Sequence, residues 1–114
     1  MGGQTRKGYL VIHEGGATHE FVVTDKRPDL YALQKLVKGD IEFLALDLPV
    51  TCYANAEAKY EGLKPTLTTP ETIPGDKVCG PVVFLGTTDD EGNERLLSED
   101  MVSVILAHVT LLGK

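Results

Sequence analysis

The first part of the chain alternates between hydrophobic runs and polar breaks in a way that predicts two β-strands. Residues 9–13 and 18–23 are rich in β-branched and aromatic side chains, and residues 14–17 between them include paired glycines. Glycines adopt the positive φ angles that a tight turn requires. We therefore expect these segments to form a β-hairpin.

Two segments have apolar residues at the spacing of a helix with one buried face. The first is 30–38, which we expect to begin after Asp29 as its N-cap residue and to end at Gly39. The second follows Ser98, the expected N-cap residue of a terminal helix. Its broad apolar stripe must pack on the sheet or on a partner chain. The stripe consists of Met101, Val102, Ile105, Leu106, Val109 and Leu112.

Further strands are predicted in the middle of the chain. Residues 41–46 and 50–53 are β-rich and are separated by Pro49, so we expect neighbouring antiparallel strands. Residues 78–85 form a continuous apolar run, which is typical of a central strand buried on both faces. Pro81 within this run indicates a bulge or an unpaired backbone position.

A polar turn at 87–94 leads to a short expected strand at 95–97 and then to the terminal helix. The order is therefore hairpin, helix, further antiparallel strands, long loop, central strand and terminal helix. This order predicts an α+β fold in which the terminal helix packs on one sheet. We expect residues 1–114 to form a single domain with a flexible N-terminus at 1–7.

The least regular region is 55–72, where prolines, a glycine and several threonines leave no hydrophobic period. A long loop on a rigid sheet is a frequent place for a binding site, and an irregular connection over a sheet edge is the alternative. The candidate binding residues in and beside this loop offer aromatic, cationic and polar contacts. They are Tyr53, Asn55, Lys59, Tyr60, Lys64 and Thr66.

Composition and charge narrow the classes of partner. Hydrophobic residues make up 42% of the chain and charged residues 25%, as in ordinary globular proteins, and the formal net charge is -6. The acidic excess opposes binding to nucleic acid, which relies on Lys and Arg. The sequence has no apolar run long enough for a signal peptide or a membrane span, so we expect a cytoplasmic protein without a membrane partner.

The residues that commonly carry chemistry do not form a recognisable motif. Cys52 and Cys79 lie alone in apolar stretches, which favours two reduced, buried thiols over a disulfide or a zinc site. The acidic turn 89–94 lacks the ligand spacing of a calcium loop, and neither a nucleophile elbow nor a phosphate-binding glycine motif is present. We therefore expect no metal, no cofactor and no enzyme activity.

Three blocks of the sequence give a resemblance to a known family. Residues 32–37, followed by Gly39 and Ile41-Glu42, resemble the opening block of a small domain-of-unknown-function family of bacteriophages, plasmids and bacterial mobile elements. The third block, Gly75-Asp76 and 79–86, resembles the family's "GD-I-GP-VVVG" strand. The second block is carried by Asn55, Glu57, Lys59, Gly62, Leu63 and Pro65.

This resemblance covers about residues 9–101 and implies a phage or mobile-element protein that acts inside a bacterial cell. The family has no agreed activity, and this chain departs from its pattern at Ala58 and Thr66. Our leading hypothesis is a non-enzymatic binding protein that modulates or inhibits a host bacterial system, including a defence system. It would contact a host protein through residues 55–66.

Two other hypotheses remain open. An oligomeric protein could bind a nucleotide-like signal, with Lys59 and Lys64 facing phosphates and Tyr53 or Tyr60 stacking on a base. An uncharacterised enzyme could use one of the two cysteines. A homodimer through the terminal helix or through an open sheet edge is also expected, because the helix has more apolar surface than this domain must bury internally.

Overall fold

The structure is a computed structural model that describes residues 5–113. Residues 1–4 of the N-terminal segment that we expected to be flexible lie outside the described residues, whereas Lys7 already belongs to a strand. In chain order the elements are β1 (Lys7–Ile12), β2 (His19–Val23), α1 (Leu30–Val37), β3 (Ile41–Leu44), β4 (Thr51–Asn55), β5 (Pro65–Thr68), β6 (Val78–Cys79), β7 (Val82–Leu85), β8 (Leu97–Ser98), α2 (Met101–His108) and β9 (Thr110–Leu111).

The predicted α+β class is confirmed. The main sheet is antiparallel in the order β2-β1-β7-β4-β3, with β8 also paired to β1, and a second sheet has the order β6-β5-β9. The hairpin of β1 and β2 and the pairing of β3 with β4 are both as expected. The central position of β7 is confirmed too, since all four of its residues are buried.

Alternation of side chains along β7 creates a core on each face of the main sheet. Val83 and Leu85 face α1, where they pack with Val11, Leu33 and Val37. The opposite face packs against α2 and the second sheet. Its buried residues are Leu10, Ile12, Cys52, Ala54, Leu67, Val82, Phe84, Leu97, Ile105 and Val109. The main sheet is therefore the middle layer of three.

The first helix begins as predicted but ends differently. Asp29 is the N-cap, and its Oδ1 accepts a hydrogen bond of 2.8 Å from the Ala32 N–H. The residue with positive φ at the C-terminus is Lys38, at φ 68°, and not the expected Gly39. Gly39 has a different role, because a Cβ there would lie 2.8 Å from Asn55 Nδ2. The glycine permits close packing of this turn.

The expected start and stripe of the terminal helix were wrong. Ser98 belongs to β8 and pairs with Lys7, and α2 begins at Met101 after Asp100, whose side chain makes no capping bond. This long-range pairing holds Ser98 in a strand. The Glu99 N–H extends the pairing by one residue, since it donates to Arg6 O at 2.9 Å. Helix α2 ends at His108, so Val109 and Leu112 lie beyond it.

Two expectations for the second half of the chain need correction. The region 55–72 is not wholly irregular, because β5 forms within it and pairs with both β6 and β9. The run 78–85 is two strands and not one. Gly80, at φ 80°, and Pro81 separate β6 from β7, which allows one apolar run to supply both sheets.

Candidate functional site

A groove of about 450 Å³ lies between the β3–β4 end of the main sheet and the segment 69–79. The buried part of its lining is mainly apolar, with Ala54, Ala58 and Cys79, and Asn55 is a buried polar residue among them. The exposed part includes Tyr60 and Ile73, whose side chains are 91% and 72% exposed. The groove therefore combines an apolar interior with two large exposed side chains.

Asn55 fixes one wall of the groove. Its Nδ2 donates to Val37 O at 3.0 Å and to Glu61 Oε1 at 3.2 Å, and its Oδ1 accepts from the Glu57 N–H at 2.7 Å. These bonds join the end of α1 to the segment 56–64, which includes Lys59 and Tyr60. Because the amide is buried and fully engaged, its role in this structure is to position the wall.

An ion pair between Lys59 and Asp76 joins this wall to the opposite one. The hydrogen bond from Lys59 lowers the pKa of the Asp76 carboxyl, and the same bond raises the pKa of the Lys59 ammonium. Both groups are solvent-exposed, so the pair adds little to stability. Its effect is geometric, since it holds segments 56–64 and 69–77 together across the groove.

Glu71 anchors the far wall to the rest of the domain. Its Oε2 accepts from the Asp47 N–H at 3.0 Å, and both of its carboxylate oxygens lie 2.9 Å from His108 Nε2 on α2. Burial alone would raise the pKa of Glu71, but these hydrogen bonds outweigh it and hold that pKa at about 2. The carboxylate therefore ties the segment after β3 and the helix α2 to the groove.

Replacing this anchor should destabilise the protein in a pH-dependent way. We expect Glu71→Ala to lower the free energy of unfolding at neutral pH by about 1 to 2 kcal/mol, because two hydrogen bonds to a charged group are lost. The folded-state pKa lies below the ordinary value of 4.5, so the contribution is complete above pH 4.5 and is lost as the pH falls toward 2.

Urea denaturation at several pH values measures this difference, and Glu91→Ala is the control because the Glu91 carboxylate lies in the exposed polar turn. The difference between Glu71→Ala and the wild-type protein should shrink as the pH falls from 4.5 to 2. A difference that stays constant over this range would contradict the assigned role of the carboxylate.

Tyr53 lies on the other face of the main sheet, where it packs against the α1-side core. Its ring is edge-on to Phe43, with centroids 6.4 Å apart, and its hydroxyl donates to Glu94. Burial and the nearby Glu94 carboxylate raise the pKa of Tyr53 to about 12. The residue is therefore separated from the groove by the sheet.

Lys64 and Thr66 are also outside the groove. Lys64 lines a more open cavity of about 530 Å³ between the β1–β2 turn and the end of α1. Thr66 is fully buried, and its hydroxyl donates to Gly80 O at 2.6 Å and accepts from the Gly15 N–H at 3.1 Å. Of the six residues proposed from the sequence, the groove brings together three, Asn55, Lys59 and Tyr60.

Three residues of the far wall were not among the site residues predicted from the sequence, namely Glu71, Ile73 and Asp76. Ile73 had a usable signal, as a single large apolar residue within a polar segment. The prediction that the cysteines are free and buried is confirmed. Cys79 nevertheless lines the groove, whereas Cys52 is 1% exposed and burial strongly raises the pKa of its thiol.

A family model described as a domain of unknown function (DUF3846) matches residues 7–110. The chain belongs to this family. The match extends from β1 to the first residue of β9 and therefore includes every strand of the main sheet and both walls of the groove. Membership confirms the resemblance to a family of unknown function. No curated protein and no solved structure matches the chain.

The described residues also bear on two kinds of site. Within 5–113, no helix has the length and apolarity needed to cross a membrane. In the same part of the chain, no three or more His, Cys, Asp and Glu side chains come together as potential metal ligands.

Proposed function

We propose that this DUF3846 protein is a non-enzymatic binding protein of a bacteriophage or another mobile genetic element, and that its groove binds a host protein. The observation that carries the proposal is the pair Tyr60 and Ile73, which are 91% and 72% exposed beside an apolar groove of about 450 Å³. Large apolar side chains in such positions are typical of interaction sites.

The chemistry of the groove supports contact with a protein. Tyrosine is enriched among the residues that contribute most to binding at protein interfaces, and Tyr60 projects almost fully into solvent. Of the charged groups of the lining, Glu42 and Lys77 have no ion pair among the described residues, whereas Lys59 is paired with Asp76 and Glu71 with His108. An apolar partner surface can therefore cover these two pairs without leaving their charges unpaired.

The biological setting in this proposal comes from the sequence. Resemblance to phage and mobile-element proteins suggests action in the bacterial cytoplasm, where the protein would modulate or inhibit a host system such as a defence system. The net charge of -6 favours a partner with a basic surface and opposes nucleic acid as the partner.

The geometry gives less support to a nucleotide-like ligand. The volume of the groove falls within the range of small-molecule pockets, about 300 to 1,000 Å³. However, Lys59 and Lys64 line different cavities, and Tyr53 lies on the opposite face of the sheet from Tyr60's groove. Of the residues proposed for this ligand, the groove therefore holds one cation and one aromatic ring, Lys59 and Tyr60, and Lys59 is already paired with Asp76. Both cysteines are buried, but only Cys79 lines the groove, so a cysteine enzyme with its site there would have to use Cys79.

Acidic substitutions at the groove should abolish capture of the partner. We expect Tyr60→Glu and Ile73→Glu each to reduce recovery of a host protein at least tenfold, because each places a charge in an apolar contact; tenfold corresponds to about 1.4 kcal/mol. The measurement is a quantitative pull-down from bacterial host lysate with the immobilised protein. Tyr31→Glu is the matched control, since Tyr31 is a 67% exposed tyrosine on α1, away from the groove.

Equal capture by all three variants would show that the groove is not the contact site. Equal loss in all three, with the fold retained by circular dichroism, would also contradict the proposal. Native mass spectrometry after incubation with a nucleotide extract tests the alternative function, binding of a nucleotide-like ligand. If that alternative is correct, the wild-type protein retains a small ligand and the Tyr60→Glu variant does not.

A further inference from the structure

Strand β3 is an outer strand of the main sheet, and no strand among residues 5–113 pairs with its outer edge. The Ala56 N–H donates to Asp40 O at 2.9 Å, which makes Asp40 and Ala56 a hydrogen-bonded pair at the end of the antiparallel ladder. Hydrogen-bonded and non-hydrogen-bonded pairs alternate along such a ladder. The backbone groups of Glu42 and Leu44 therefore point toward β4, and those of Ile41 and Phe43 point away from it.

The sequence of this edge does not protect it from pairing. Residues 41–46 are one glutamate and five apolar residues, with no lysine, proline or glycine. Natural outer strands are commonly protected by such residues or by charges that disfavour pairing. Phe43 is 61% exposed and adds a large apolar side chain to the edge. The other outer strand, β2, begins instead with the polar pair His19 and Glu20.

We infer that β3 pairs antiparallel with β3 of a second copy of this chain, around a two-fold axis at Phe43. Of the registers that this alternation allows, those centred on Glu42 and on Phe43 pair the most residues of β3 with each other. The register at Glu42 places two carboxylates directly opposite each other, which is destabilising. The register at Phe43 instead places Glu42 opposite Leu44 of the second copy. It also stacks the two Phe43 rings and places Ile41 opposite Ala45 of the second copy.

This arrangement makes the groove a composite site. Alternation along β3 places Glu42 and Leu44 on the groove face, and both residues line the groove. In the dimer, β3 of the second copy continues the sheet beside β3 of the first copy. Glu42 and Leu44 of the second copy therefore lie next to the groove of the first. A two-fold axis perpendicular to the sheet leaves both grooves open on the same face. Each groove is therefore extended by residues of the other copy, which goes beyond the proposed binding function.

The test is the oligomeric state of the full chain by sizing with light scattering and by analytical ultracentrifugation. The chain mass is 12.3 kDa, so a dimer has twice this mass. Phe43→Pro removes an outward-pointing N–H, which proline tolerates in an outer strand, together with the ring that lies edge-on to Tyr53. We expect the dimer dissociation constant to rise at least tenfold. Phe43→Lys places two like charges on the axis and should have the same effect.

His19→Pro is the matched control. The His13 N–H donates to Thr18 O, so the same alternation makes the His19 N–H point outward from the other edge of the sheet. We expect this variant to remain dimeric, and circular dichroism should show the fold retained in all variants. If Phe43→Pro loses its fold, Phe43→Lys decides the question.

Three outcomes would overturn the inference: a monomeric wild-type protein at concentrations of several hundred micromolar, dimers that persist in the folded Phe43 variants, or dissociation caused by His19→Pro alone. Host-protein capture is measured separately from dimerisation. A monomeric wild-type protein that still requires Tyr60 and Ile73 for capture would refute the dimer and leave the proposed function standing.

Discussion

Replacing Gly16 with alanine should strongly destabilise the protein, with a loss of unfolding free energy of about 3 kcal/mol. Gly16 lies in the β1–β2 turn at φ 75°, where an L side chain is strained. A Cβ there would lie 2.1 Å from Thr66 O, the oxygen that accepts a hydrogen bond from the Leu112 N–H. The added methyl group would force the turn away from the second sheet.

Gly15→Ala is the control for this prediction. Gly15 has a similar φ of 91°, but the nearest atom to its Cβ is Lys64 Cδ at 3.8 Å. We expect Gly15→Ala to lower the free energy of unfolding by only about 1 kcal/mol, which is the cost of a side chain in the left-handed conformation. Thermal unfolding followed by circular dichroism measures both changes. Equal losses in the two variants would show that close contact between the turn and β5 contributes nothing.

Asn55→Ala should have a comparable effect on stability and a further effect on binding. The substitution removes three hydrogen bonds of a buried side chain and leaves Val37 O and the Glu57 N–H without this partner. We expect a loss of about 3 kcal/mol. Because Asn55 fixes the wall that includes Tyr60, capture of the host protein should also fall in the fraction that remains folded.

The matched variant is Asn93→Ala, at an exposed asparagine in the polar turn. Its unfolding free energy should change by less than about 0.5 kcal/mol. Urea denaturation gives the stability of each variant, and the pull-down is carried out below the temperature at which Asn55→Ala begins to unfold. A stable Asn55→Ala protein would contradict the anchoring role given to this amide.

The elements that the sequence predicted correctly are those with a local signal. The hairpin has strands of six and five residues and a glycine turn, and α1 has a capping aspartate in contact with its first turn. Strands β6, β8 and β9 have two residues each. Such short strands are defined by pairing with distant segments, which no local pattern reveals. The interpretation of Ser98 as a cap failed for the same reason.

The candidate site was predicted in part. The wall with Lys59 and Tyr60 was found because aromatic and cationic residues cluster in an irregular segment. The opposite wall was not predicted, because its position depends on contacts between Glu71 and two distant residues, Asp47 and His108. The sequence pattern did not separate Tyr53 from Lys59 and Tyr60, whereas the alternation along β4 places it on the other face of the sheet from Ala54.

Site-specific photo-crosslinking in bacterial host cells tests the central claim, that the groove is the surface in contact with a host protein. A photoreactive phenylalanine analogue is placed at position 60 in one protein and at position 31 in another, since Tyr60 and Tyr31 are both exposed tyrosines. We expect a crosslinked host protein from position 60 and none from position 31. A crosslink from position 31 alone, or from neither position, would contradict the claim.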